Sequence, residues 1–133
     1  MPGQAAARQM AAQEPRGGAI INMSSVNQVL AIPQITPYVV AKGGVGQLTR
    51  AMAEAWSRDG IGCNALAPGF FPTELTAPVF GDDSVSGKLA AQTAIGRNGR
   101  MEDLDGTVIW MASRASDYVT GQVVYVDGGF TAK

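Results

Sequence analysis

The sequence predicts an α/β fold, the C-terminal part of a Rossmann-like, doubly wound parallel sheet, and three observations predict it. Short apolar runs rich in branched residues alternate with helical patterns, the order expected of parallel strands joined by right-handed helical crossovers. Each run is bounded by glycine, proline or serine, where regular structure breaks. The 133 residues are 46% apolar with a net charge of -1, a globular composition sized for one domain with a modest core.

Residues 5–12 (AAARQMAA) are dense in helix formers and predict a short helix, stopped by Pro15 and the Gly17-Gly18 pair. Residues 19–23 (AIINM) follow as a strand expected to be buried on both faces. Residues 24–36 show no sustained period and predict a loop. Thr36-Pro37 is a helix start, with Thr able to cap and Pro losing no needed hydrogen bond at the first position. The helix is expected over 38–58, with Ala41, Val45, Leu48, Met52 and Ala55 as its apolar face. Residues 61–67 predict a second buried strand, broken by Pro68-Gly69. The stretch 70–98 holds Pro72, Pro78, Gly81 and Gly87, so only one helix, over 84–93, is expected in a long functional loop. Residues 102–113 predict a helix with acids in its first turn and Leu104, Val108 and Met111 on one face. Val123–Val126 predicts a third strand, turned at its end by Asp127-Gly128-Gly129. Three strands make a thin sheet with at least one edge expected to pair in a larger protein.

Composition excludes several function classes. Acids and bases are interspersed with no basic run, so neither nucleic acid nor a membrane surface is an expected partner. No histidine is present, which removes His-based triads and most zinc sites, and no metal is expected. The single cysteine, Cys63, has no internal disulfide partner, which points to a reduced cytoplasmic setting. The N-terminus lacks the apolar core of a signal peptide, and no apolar run is long enough to span a bilayer.

The chemistry concentrates in a few residues. Tyr38 and Lys42 are four apart at the start of one helix, so their side chains share a face. A phenol is a poor base at neutral pH. A neighbouring ammonium and the positive end of a helix both favour the phenolate, which then exchanges a proton with an alcohol oxygen. Taken alone, the pair reads as an amphipathic Tyr and a solvated Lys, because this spacing is common by chance. Ser25 lies just past a strand, where open parallel sheets bind ligands, and its hydroxyl suits a carbonyl oxygen; taken alone, Ser24 and Ser25 read as loop residues bonding their own backbone. Pro68-Gly69-Phe70-Phe71-Pro72-Thr73 follows the second strand, with Gly69 open to close approach by a ligand and Thr73 offering a hydroxyl.

Together, Ser25, Tyr38-x-x-x-Lys42, Pro68-Gly69-x-x-x-Thr73 and Val126-Asp127-Gly128-Gly129 closely resemble the short-chain dehydrogenase/reductase family, over about residues 5–130. Gly18-Ala19-Ile20-Ile21-Asn22, Gly96-Arg97 and Ser116-Asp117-Tyr118-Val119-Thr120-Gly121 add to the match. Within the family, Ile35-Thr36-Pro37-Tyr38 and the C-terminal stretch look most like gluconate 5-dehydrogenases, then 3-oxoacyl-carrier-protein reductases. The resemblance implies an NAD- or NADP-dependent oxidoreductase interconverting a secondary alcohol and a ketone. Tyr38 would be the acid/base, Lys42 would support it and bond the nicotinamide ribose, and Ser25 would orient the substrate oxygen. Pro68, Gly69, Phe71 and Thr73 would line the nicotinamide, and residues of about 70–98 would form the substrate lid. A homodimer or homotetramer is implied by the family's helix and strand interfaces.

The family's glycine-rich turn between first strand and first helix has no counterpart here. Gly43-Gly44-Val45-Gly46 sits inside a helix and follows no strand, so it fails the test for a dinucleotide fingerprint and suggests close helix packing instead. The chain is therefore expected to be the C-terminal half of such a domain, with the last three of seven strands and without the dinucleotide-binding half. Little activity is expected of it alone, and a non-catalytic oligomerisation module is the alternative.

Overall fold

The computed structural model describes residues 1–132. Its sheet has three parallel strands in the order β1 (Gly18–Met23), β2 (Ile61–Pro68) and β3 (Val123–Val126). Five helices surround it: α1 (Pro2–Ala12), α2 (Thr36–Trp56), α3 (Ala77–Phe80), α4 (Asp83–Gln92) and α5 (Asp105–Met111). The strands keep the expected order and direction, but the stretch 70–98 holds two helices, α3 and α4, where the sequence reading expected only one over 84–93. Short 3-10 turns, Val26–Gln28 and Pro33–Ile35, break the loop expected over 24–36, and Met101–Leu104 forms the first turn before α5.

The register pairs Met23 with Leu66, and Pro68 with Val126, so the carboxyl ends of all three strands lie together. Ser25, Gly69 and Asp127 each follow one of those ends within two residues. Helices α1 and α2 cover one sheet face, where Ala7, Met52, Ala53, Ile61 and Cys63 form the core with Met10, Ile20 and Trp56 against it. Cys63 is free and buried, and loss of water around its thiol raises its pKa.

Two expectations about burial need correction. Only β2 is mostly buried, with Gly62 and Pro68 half-buried; β1 is exposed at both ends and half-buried between. It lies at the sheet edge, so half of its surroundings are solvent. The buried face of α2 is Gly46, Thr49, Met52 and Ala53, whereas Ala41, Leu48 and Ala55 are exposed. The cause is polar pairing. Asn22 of β1 donates to Thr49 Oγ1 (2.9 Å), whose hydroxyl also reaches Val45 O (2.8 Å). That pairing satisfies a buried hydroxyl and turns the Thr49 side of the helix inward. On α5, Met111 is buried but Val108 is exposed. Thr36 does not cap α2 either; it is the first helical residue, and its hydroxyl donates to Pro33 O (2.8 Å).

Candidate active site

Lys42 is set by two constraints. The straight run of α2 brings it beside the end of β1, and its Nζ donates to Met23 O at 2.9 Å. The same ammonium stands 5.5 Å from the centroid of the Tyr38 ring, one helical turn back. Tyr38 is the third residue of α2, where the unpaired amides of the first turn carry the helix's positive end. Both side chains are half-buried. No described residue holds the Tyr38 hydroxyl.

Ser25 is buried and caps the turn Val26–Gln28, accepting from Asn27 N at 3.1 Å. Its hydroxyl in turn donates to Asn27 Oδ1 at 3.2 Å. The loop is fastened to α2 by its neighbours. Ser24 Oγ lies within hydrogen-bond reach of Gln28 Oε1 (2.9 Å) and Lys42 O (3.2 Å), with one hydrogen for either, and Gln28 Nε2 donates to Tyr125 OH on β3 (2.6 Å). A Cβ at Gly46 would meet Gln28 Oε1 at 2.9 Å, so this glycine admits the fastening side chain. Lys42 and Tyr38 thus stand beside the end of β1, and the buried Ser25 follows that end by two residues.

The residues after β2 are placed differently from one another. Pro68 ends β2 beside Val126. The space beside Gly69 is taken by the protein itself, since a Cβ there would lie 2.8 Å from Asp127 Cα. Phe71 is buried with its ring against Gly99, at a small cavity of about 140 Å³ that Thr93, Arg97 and Asp127 also line. Thr73 is exposed in a turn, paired with Thr76 Oγ1 at 3.0 Å. The cavity at Phe71 and a hollow of about 650 Å³ at the opposite end of the sheet, beside Gly18, Gly62 and Arg114, contain none of Ser25, Tyr38 and Lys42.

Gln28, Tyr125 and Asn64 escaped the sequence reading. Asn64 is buried in β2, donates to Val119 O (2.7 Å) and accepts from Gln122 N (3.0 Å), which holds the chain entering β3. A polar residue inside an apolar strand run is the one signal that points to it. Asp127 is similarly engaged. Burial works against its charge, but bonds from Thr131 Oγ1 and from the amides of Thr131, Gly129 and Phe130 hold its carboxyl below the usual range. The Arg97 guanidinium, in a two-pronged pair at 2.6 and 2.9 Å, and the Arg100 amide hold the Asp103 carboxyl well below that range. Among the described residues, no group of three or more His, Cys, Asp or Glu side chains is placed to hold a metal ion. No helix among them is long and apolar enough to cross a membrane.

A nicotinamide cofactor fits the donor set. Lys42 has three ammonium hydrogens and spends one on Met23 O, which leaves donors for ribose hydroxyls. The family model described as enoyl-(acyl carrier protein) reductase matches residues 3–131. Gluconate 5-dehydrogenase of Gluconobacter oxydans is 47% identical over 130 residues, 97% of this chain and 50% of its own length. The 5-keto-D-gluconate 5-reductase of Escherichia coli is 38% identical over 95% of this chain and 49% of its own. The crystal structure of a gluconate 5-dehydrogenase from Burkholderia cenocepacia in complex with NADP and tartrate superposes with a TM-score of 0.93 at 46% identity, over 98% of this chain and 50% of that one. The chain spans about half the length of these relatives. With the three strand ends, the Tyr38–Lys42 pair and matches that run through nearly every residue, the chain belongs to the short-chain dehydrogenase/reductase family.

Proposed function

We propose that this chain carries the proton-transfer half of an NAD(P)-dependent oxidoreductase that interconverts a secondary alcohol and a ketone on a gluconate-like polyol. The observation that carries the reading is Lys42, anchored on Met23 O with its ammonium over the Tyr38 ring. In the oxidising direction the Tyr38 oxygen takes the proton of the alcohol; in the reducing direction it returns one to the ketone oxygen. The Lys42 ammonium stands over the Tyr38 ring beside that transfer. Ser25 holds the substrate oxygen by a hydrogen bond. The nicotinamide, when bound, supplies or accepts the hydride. Lys42 and Tyr38 would hold its ribose, and Pro68, Gly69, Phe71 and Thr73 its nicotinamide side. Residues of about 70–98 serve as the substrate lid.

The pyrophosphate cradle belongs to the half of the relatives that this chain does not match. Charge-assisted contacts to phosphate supply much of dinucleotide affinity, so the chain alone binds NADPH no tighter than millimolar. A fluorescence titration showing micromolar binding would overturn that point. The full test supplies the amino-terminal half of the Gluconobacter oxydans relative by co-expression and follows NADP reduction with D-gluconate. Turnover is expected only with both halves, and Tyr38→Phe is expected to lower it by about 10²-fold or more, the usual worth of a positioned acid/base. Undiminished turnover in Tyr38→Phe rejects the assignment.

A second reading, a non-catalytic oligomerisation module, rests on α2. Val40, Gly44, Leu48, Ala51 and Ala55 form an exposed apolar stripe along it. Association into a homodimer or homotetramer, measured by sedimentation and abolished by Leu48→Glu, supports that use of the surface. The buried free thiol of Cys63 supports a reduced, cytoplasmic setting.

A further inference from the structure

Among the described residues, Asn27 is the one buried side chain beside the candidate site with an unpaired polar atom. It is 6% exposed, and its Nδ2 is buried with no partner among the described residues. A buried N–H left unpaired is costly, which makes each native instance informative. Its other amide end, Oδ1, accepts the Ser25 hydroxyl at 3.2 Å, while its backbone N–H donates to Ser25 Oγ at 3.1 Å. The single hydrogen of Ser25 is therefore turned toward Asn27, not toward a ligand. A hydroxyl has only one hydrogen to give, so Ser25 cannot donate to a substrate oxygen while Asn27 Oδ1 holds it.

The two ends of a side-chain amide are nearly equal in size, and a half-turn about its last torsion exchanges them without displacing neighbours. We propose that Asn27 is a positioning residue that aims Ser25: with substrate present the amide turns, Nδ2 donates to Ser25 Oγ, and the Ser25 hydrogen is released to the substrate oxygen. The turn gives the orphaned donor a partner. It leaves a carbonyl oxygen underused, the cheaper of the two deficits because buried N–H groups are orphaned more rarely than C=O groups. Asn27 does this through Ser25 and need not touch substrate. The inference rests on the oxidoreductase reading, since it concerns the group that holds the reacting oxygen.

The experiment uses the full chain co-expressed with the amino-terminal half of the Gluconobacter oxydans relative, with D-gluconate and NADP as probes. Asn27→Asp keeps the shape but offers only acceptors at neutral pH, so it holds the Ser25 hydrogen permanently. Asn27→Ala releases it. The expected order of kcat is wild type, then Ala, then Asp, with Asp about tenfold below Ala, the worth of one misdirected hydrogen bond. KM is expected to change less than kcat. The Asp variant should also recover toward the Ala variant as pH falls, because a protonated carboxyl donates again. In a Ser25→Ala background both substitutions should add nothing. A merely structural Asn27 predicts the opposite order, with the isosteric Asp milder than Ala, no recovery at low pH, and losses that add to Ser25→Ala; that pattern overturns the proposal. Should both variants unfold, Asn27→Ser, which can donate, is compared with Asn27→Val, which cannot, and equal kcat values overturn it. If wild type shows no turnover, or Tyr38→Phe keeps it, the oxidoreductase reading falls and this inference with it; if Tyr38→Phe is dead and Asp still exceeds Ala, this inference alone falls.

Discussion

At Gly69 a single missing carbon sets how closely β2 and β3 finish. A Cβ there would stand 2.8 Å from Asp127 Cα and 2.9 Å from its Cβ, both on backbone-anchored atoms that cannot swing away. Gly69→Ala is expected to cost about 1–3 kcal/mol, the range for overpacking a filled site, measured by urea unfolding. Gly44 is the control. It lies inside α2 with nothing within 4 Å of a built Cβ. Gly44→Ala is expected to stabilise by about 0.5–1 kcal/mol, since glycine pays the larger entropy in a helix interior. Equal effects at the two positions would remove this reading of Gly69. The residue scale is also where the sequence was most informative about chemistry and least about geometry. Tyr38 and Lys42 are legible because helical spacing alone puts them on one face. The reach of Lys42 to Met23 O is not legible, since it depends on how α2 crosses the end of β1. Gln28 and Tyr125, 97 positions apart, carry no local pattern that would pair them.

Between Phe71 and Thr93 the chain changes character. Both of those residues are buried, but none from 72 to 92 is, and Leu75 is 77% exposed. The two ends are pinned: Gly99 N donates to Phe70 O (3.0 Å), and Ala94 N to Gly128 O (2.8 Å). Helices α3 and α4 between the pins have exposed backbone and few buried contacts, the marks of low local stability. Hydrogen exchange is expected to be fastest over 73–92 and slow in β2. Protection over 73–92 equal to that of β2 would remove the basis for a lid. Elements of this chain were legible where length and capping agree. The helix expected over 84–93 is found at Asp83–Gln92, and the structure shows its cap in Asp82, which accepts from Ser84 N and Val85 N. The burial of each face was not legible. Ala41, Leu48 and Ala55 follow a helical apolar repeat as regular as any in the chain, yet the buried face is chosen by the Asn22–Thr49 bond, which periodicity ignores.

For the molecule as a whole, acid and the open sheet edge are the two vulnerabilities. Asp127 and Asp103 have folded-state carboxyls held below their ordinary values. Their contribution is complete above about pH 4, the unfolded value, and is lost as pH falls from there through the folded values. Stability measured by urea unfolding should therefore drop on acidification below about pH 4, and Asp127→Asn should flatten that drop. The edge is set by the hydrogen-bond direction of β1. Gly18 N donates to Gly60 O and Ser24 N to Leu66 O, so amides at even positions face β2. Those of Ala19, Ile21 and Met23 face outward, where β1 has no neighbouring strand among the described residues. An unpaired parallel edge six residues long is a template for another strand. At Met23 it is partly blunted by Lys42, which occupies the carbonyl. The chain is expected to self-associate with rising concentration in sedimentation velocity runs. Ile21→Pro removes an outward N–H without touching the ladder to β2, and Met23→Lys adds a charge to the exposed edge; both are expected to shift the chain toward monomer. The same Ile21→Pro should also block turnover in the two-half assay, because a supplied half must pair along that edge to complete the sheet. Association unchanged by both variants would place the contact elsewhere, with the apolar stripe of α2 next in line, and Leu48→Glu tells the two surfaces apart.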